Sequence, residues 1–167
     1  MVKEALDIVR PTEVELALVG LNSSWAIAQL GKGLRCRDLG YVADRDTLAR
    51  LYGESHIFLF ASPAENFPCV VLEAMASGCC VVATPSGGVG EQIRDGESGF
   101  LAASISGRAL AAALDRALRS PDKFAMIGEN ARRTVIEEFS EDLMIEAHLK
   151  LYRNLLDGAA FPEGKAQ

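Results

Sequence analysis

The run HIFLFASPAENFPCVVLEAMASGCCVVAT, from His56 to Thr84, narrows the fold more than any other part of this 167-residue chain. His56 to Ala61 is a short apolar stretch that reads as a strand buried on both faces, and Cys80 to Thr84 is a second one. Between them lie a short polar loop and a helical pattern. Strand, helix and strand in so short a span imply a parallel pair, because parallel neighbours need a crossover connection.

The same alternation governs the rest of the chain. Val14 to Val19 reads as a strand ending at Gly20, and Leu34 to Val42 contains a less regular one. Asp44 suits the N-cap of a helix over Arg45 to Tyr52. Gly99 to Ala102 is a short fifth strand, preceded by a small helix over Val89 to Arg94 that Asp95-Gly96 would stop. Ser106 to Arg119 places Leu110, Leu114 and Leu118 on one helical face. Ser120-Pro121 starts a helix to about Phe139, and Ser140 opens a last one ending near Asp157-Gly158. The fold class is therefore α/β: a Rossmann-like, mostly parallel sheet with helices on both faces, in one domain over 1–157, with 158–167 as a flexible tail.

Composition excludes several functions. A net charge of −6 argues against a nucleic-acid partner, whose phosphates need a basic surface. No apolar run approaches the roughly 18 residues of a membrane span, and the charged start MVKEALDIVR lacks a signal-peptide core. A cytoplasmic protein is expected. The four cysteines, Cys36, Cys69, Cys79 and Cys80, and two histidines, His56 and His148, show no metal-ligand spacing. They read as reduced thiols, and Cys79 and Cys80 as neighbours on opposite faces of a strand.

In a parallel sheet ligands gather at the carboxyl ends of the strands, here the loops after Val19, Val42, Ala61 and Thr84. The richest of these holds Glu65. Pro68 suits the first turn of the following helix, and the amides of Cys69 and Val70 are then open to an anion. Glu73 falls about one and a half turns further on. Carboxylates on either side of an anion-binding helix start match a ligand with hydroxyls at both ends and phosphate between. Nucleotide sugars have that layout.

Glu65, Phe67, Glu73-Ala-Met-Ala76, Gly78, Val81-Val-Ala-Thr84, Gly87, Gly88, Glu91, Ile93, Asp95, Gly96 and Gly99 form an ordered pattern. It resembles the C-terminal lobe of retaining GT-B glycosyltransferases, the large family 4 or group 1. The resemblance covers about residues 1 to 155. It implies that Glu65 holds donor-sugar hydroxyls beside the reacting carbon, and that Glu73 accepts hydrogen bonds from both ribose hydroxyls. The alternatives are an exposed loop glutamate and a structural salt bridge.

Asn66 and Phe67 would offer backbone amides, with a core anchor as the other reading of Phe67. Cys69 and Val70 would face phosphate. Gly87 and Gly88 allow close backbone approach, or make a plain turn, and Val42 lies where the nucleotide base would pair with backbone. Glu91 reads as a loop brace, and His56 as a core or edge histidine. Lys32, Arg35 and Arg37 read as a solvated face.

The resemblance also implies what this sequence does not contain. MVKEALDIVR resembles the lobe's first helix, so its first strand and the basic pair of residues before that helix are missing, as is the N-terminal lobe. The expected partners are a nucleotide-sugar donor and that N-terminal lobe, through which peripheral membrane association is conceivable, with no cofactor and no metal. The full protein would be a transferase, and the chain alone inactive. A nucleotide-sugar epimerase and a non-catalytic nucleotide-binding or assembly module are the alternatives.

Overall fold

The structure, a computed structural model, describes residues 1–30 and 33–157. In chain order it runs α1 (Val2–Val9), β1 (Glu15–Val19), α2 (Ser23–Leu30), β2 (Arg35–Gly40), α3 (Arg45–Glu54), β3 (Ile57–Phe60) and α4 (Cys69–Ala76). Then follow β4 (Cys80–Ala83), α5 (Val89–Gln92), β5 (Phe100–Leu101), α6 (Gly107–Leu118), a 3₁₀ turn (Pro121–Lys123), α7 (Phe124–Glu138) and α8 (Glu141–Leu156). Every strand pair is parallel, so the α/β reading holds. The tail 158–167 and Lys32 lie outside the described residues.

All five expected strands form, shorter by a residue or more at their ends. Helix α2 was not anticipated. Its sequence SSWAIAQL has little amphipathic character, but β1 and β2 pair in parallel and therefore need a crossover. Its first turn is tied to the sheet by Asp38, whose carboxylate accepts from the hydroxyls of Ser23 and Ser24 and from the Gly40 amide at 3.0 Å. Those donors hold the Asp38 carboxyl below the usual carboxylate range.

The caps follow the sequence. Asp44 accepts from the Thr47 amide at 2.8 Å, and Ser106 from that of Ala109 at 3.2 Å. Two expectations need correction. The small helix ends at Gln92 rather than Arg94, because Ile93 turns into the core and the Arg94 amide bonds the Ser98 hydroxyl. Pro121 opens a 3₁₀ turn, and the α-helix begins only at Phe124.

Around β4 the two-residue period of a strand divides the core into two layers. Cys80 and Val82 pack with Ala5, Leu6, Leu110 and Ile127, while Val81 and Ala83 pack with Val71, Met75, Val89 and Ala131. Cys79 and Cys80 fall in opposite layers as expected, and both thiols are buried.

The strands do not form one continuous sheet. β1 and β2 make one, and β3, β4 and β5 another in the order β3-β4-β5. Between them runs a cleft of about 1600 Å³, lined by every residue of β1 and β3 and by apolar side chains of α1, α3 and α6. Burial follows this division. β4, paired on both sides, is buried throughout, whereas β3, paired on one side, is half-buried at all four positions. In β1 exposed and half-buried residues alternate. Two sheet edges, those of β1 and β3, therefore border the cleft without a β partner among the described residues. Helix α8 is likewise uncovered: none of its residues is buried, and Leu143, Ile145, Leu149 and Tyr152 are exposed.

Candidate functional site

After β3 the chain leaves the sheet through Ala61–Phe67, and Pro68 takes an extended conformation as the N-cap of α4. Pro68 thus stands one residue before the helix, not within its first turn. Its carbonyl accepts the Val71 amide at 3.3 Å, and the amides of Cys69 and Val70 have no backbone acceptor among the described residues. Both residues are exposed. The open helix start expected from the sequence is present, moved by one position.

The loop after β4 presses on this segment. Gly87 has φ of 54°, and a Cβ there would fall 2.0 Å from the Glu65 carbonyl oxygen. A Cβ on Gly88 would fall 2.4 Å from Cδ2 of Phe67, and the Gly88 amide donates to the Asn66 carbonyl at 2.6 Å. The close approach that the two glycines permit is thus to the backbone and ring of Glu65–Phe67. Thr84 Oγ1 adds a bond to the Ser62 carbonyl at 3.3 Å. The Phe67 ring, 38% exposed, lies against Phe139 with centroids 5.7 Å apart, so it anchors the loop while one face stays open.

Glu65 and Glu73 are both exposed, and among the described residues neither has an ion-pair partner. Among the described residues the structural salt bridge weighed for Glu73 is not formed. Nor is its charge buried: within the apolar run it occupies the one face of α4 that meets solvent, with Val71, Ala74 and Met75 turned inward. It lies near Tyr52 of α3, whose phenol is pushed up to about 12, first by burial and then by the negative charge of Glu73. Tyr52, half-buried Val42 and Val70 all line the cleft.

The structure thus brings Glu65, Asn66, Phe67, Gly87 and Gly88 into direct contact, with Cys69 and Val70 following on α4. Val42 shares the cleft, and Glu73 stands one turn along the helix. Glu91 is exposed. His56 is an exposed edge residue whose ring is 6.1 Å from that of Phe124. Arg35 is exposed, and Arg37 is solvated beside Glu15 at 4.0 Å. Among the described residues no three His, Cys, Asp or Glu side chains converge as a metal site.

One residue beside the site was missed. Gln92 is fully buried, and its Nε2 donates to the Pro68 carbonyl at 3.2 Å. The sequence carried no mark of it, because the turn sets exposed Gly90 and Glu91 beside buried Val89.

Residues 2–134 match the family described as glycosyl transferases group 1. The chain is 30% identical over 151 residues to N-acetyl-alpha-D-glucosaminyl L-malate synthase of Bacillus anthracis, covering 89% of this chain and 40% of the relative. Sucrose-phosphate synthase from Thermosynechococcus elongatus superposes with a TM-score of 0.77 at 26% identity, over 95% of this chain and 43% of that one. Anabaena HepE in complex with UDP-glucose gives 0.72 at 27% identity, over 90% and 44%. The chain spans less than half the length of each.

Proposed function

This chain belongs to the glycosyl transferases group 1 family, and from that premise we propose that it is the C-terminal, nucleotide-sugar-binding lobe of a retaining GT-B enzyme of family 4. The observation that carries the reading is the pairing of two loops. The Gly87-Gly88 turn is packed onto Glu65–Phe67 beside an open helix start, with unpaired carboxylates at Glu65 and Glu73 on either side. The UDP-glucose bound to Anabaena HepE has the chemistry this layout suits.

In this proposal Glu73 accepts the two ribose hydroxyls, the Cys69 and Val70 amides face the diphosphate, and Val42 backs the base. Glu65 and the backbone amides of Asn66 and Phe67 hold the sugar. An acceptor hydroxyl attacks the anomeric carbon on the face the leaving phosphate departs from, and that phosphate takes the proton. Glu65 acts by orienting the sugar and by placing negative charge beside an oxocarbenium-like carbon. No protein nucleophile and no metal enter the scheme.

The rest of the site would come from an N-terminal lobe and from a strand that fills the cleft between β1 and β3. Both uncovered sheet edges and the uncovered face of α8 support a longer protein. Such a protein would work in the cytoplasm on a polysaccharide or glycoconjugate. Among the described residues no helix is long and apolar enough to cross a membrane.

Calorimetry of the chain with UDP, GDP and ADP tests the reading. Saturable binding of one of them, lost on Glu73→Gln, supports it. Absence of binding for all three, in this chain and in the full-length protein, overturns it. A non-catalytic nucleotide-binding module would bind nucleotide equally well but discriminate no attached sugar.

A further inference from the structure

We infer that Gln92 is a positioning residue for this site: with Gly88 it holds the Glu65–Pro68 loop by two of its carbonyls, and so sets where the open amides of α4 stand. The inference rests on the donor-site reading above for its functional meaning, but its geometry does not.

Helix α5 is a single turn with Gly88 at its N-cap and Gln92 at its end. From one end the Gly88 amide donates to the Asn66 carbonyl at 2.6 Å, and from the other Gln92 Nε2 donates to the Pro68 carbonyl at 3.2 Å. The loop is gripped at alternate residues, with the intervening Phe67 ring against Phe139. Pro68 has no N–H and no side-chain cap, so α4 starts without the Ser, Thr or Asp that normally steadies a first turn. The bond from Gln92 is not a cap, since it leaves the first-turn amides open; it fixes the Pro68 carbonyl from outside the helix.

Stability does not account for a glutamine here. Its side chain is fully buried, in a turn whose residues Val89 and Ile93 belong to the apolar layer of Val71 and Val81. A buried amide is costly unless both ends are bonded, and Oε1 of Gln92 has no partner among the described residues. An apolar side chain of similar shape would pack there at least as well. Only the hold on Pro68 would be lost.

The test uses the whole chain with Gln92→Met and, as a packing control, Val81→Ala in the same apolar layer. Amide hydrogen exchange of Glu65–Val70, Tm and UDP affinity are measured on each. The expected result for Gln92→Met is a Tm equal to or above that of the parent chain, with loop amides exchanging faster. UDP binding weakens by about three- to tenfold, the scale of one hydrogen bond. Val81→Ala should lower Tm and leave both the loop and the affinity unchanged.

If Gln92→Met lowers Tm while loop exchange stays as in the parent, the glutamine is structural only and the inference falls. If neither the parent chain nor the full-length protein binds nucleotide, the donor reading fails, and the loop exchange alone decides whether Gln92 holds Pro68. If the parent binds and Gln92→Met binds equally well, the positioning role is overturned even where the donor reading stands.

Discussion

The α-carbon of Gly87 lies so close to Glu65 that a methyl group on it would reach within 2.0 Å of the Glu65 carbonyl oxygen. The obstacle is backbone, which cannot swing aside, and Gly87 also has a positive φ of 54°. Gly87→Ala should therefore cost about 1–3 kcal/mol in stability, as overpacked sites do. It should also displace Glu65 and weaken nucleotide-sugar binding more than nucleotide binding. Denaturant unfolding and calorimetry with UDP and UDP-glucose check both halves.

The two glutamates should separate by role. Both are exposed and have no ion-pair partner among the described residues, so Glu65→Gln and Glu73→Gln should each leave stability within about 0.5 kcal/mol of the parent. Glu73→Gln should weaken free nucleotide by up to about tenfold, since a bond to a charged acceptor is worth about 1.5–3 kcal/mol. Glu65→Gln should leave free nucleotide unchanged and reduce only the added contribution of the sugar. Equal effects on free nucleotide would contradict the assignment.

Glu73 has a second readout in Tyr52. The phenol stands at about 12 because burial and then the Glu73 charge both disfavour the phenolate. Glu73→Gln removes only the second cause, so the Tyr52 titration should move down while staying above the ordinary value of 10.0. Ultraviolet titration of the phenol against pH measures it, and an unchanged midpoint would mean that the two groups are apart.

The cysteines should divide by accessibility. Cys69 is exposed, whereas burial pushes the thiols of Cys79 and Cys80 up to about 12 from 9.0. A thiol reagent at neutral pH should label Cys69 and spare the buried pair until the chain unfolds. Because the folded-state values are raised, the contribution of the pair to stability is complete below pH 9. It declines as pH rises toward 12, where the unfolded chain ionises first. Unfolding curves across pH 8 to 11 should show that decline.

The cleft leads to a prediction about the chain by itself. Unpaired edges on β1 and β3 are templates for another strand. Concentrated chain should therefore self-associate, and amides of β1 and β3 should exchange faster than those of β4. A clean monomer by light scattering, with β1 and β3 as protected as β4, would contradict this.

Local chemistry was enough to read much of this from the residues. Apolar runs at His56–Ala61 and Cys80–Thr84 specify strands because they are too short for a helix, although only the second is buried throughout. Asp44 and Ser106 cap their helices through amides three residues away. Glu65, Pro68 and Glu73 could be placed around a helix start for the same reason.

Contacts between residues distant in the chain were decided only in three dimensions. That the two glycines approach Glu65 and Phe67 depends on bringing together segments more than twenty residues apart. Nothing local marks Gln92 as buried, and only the fold sets it under Pro68. Glu73 seemed a charge trapped in an apolar run, yet the packing of α4 left its face open to water. The resemblance implied a missing first strand, but that the gap falls between β1 and β3 and divides the sheet was decided by the fold. The apolar runs of β3 and β4 look alike, yet β4 is paired on both sides and β3 on one, because side chains encode burial but not which neighbour provides it.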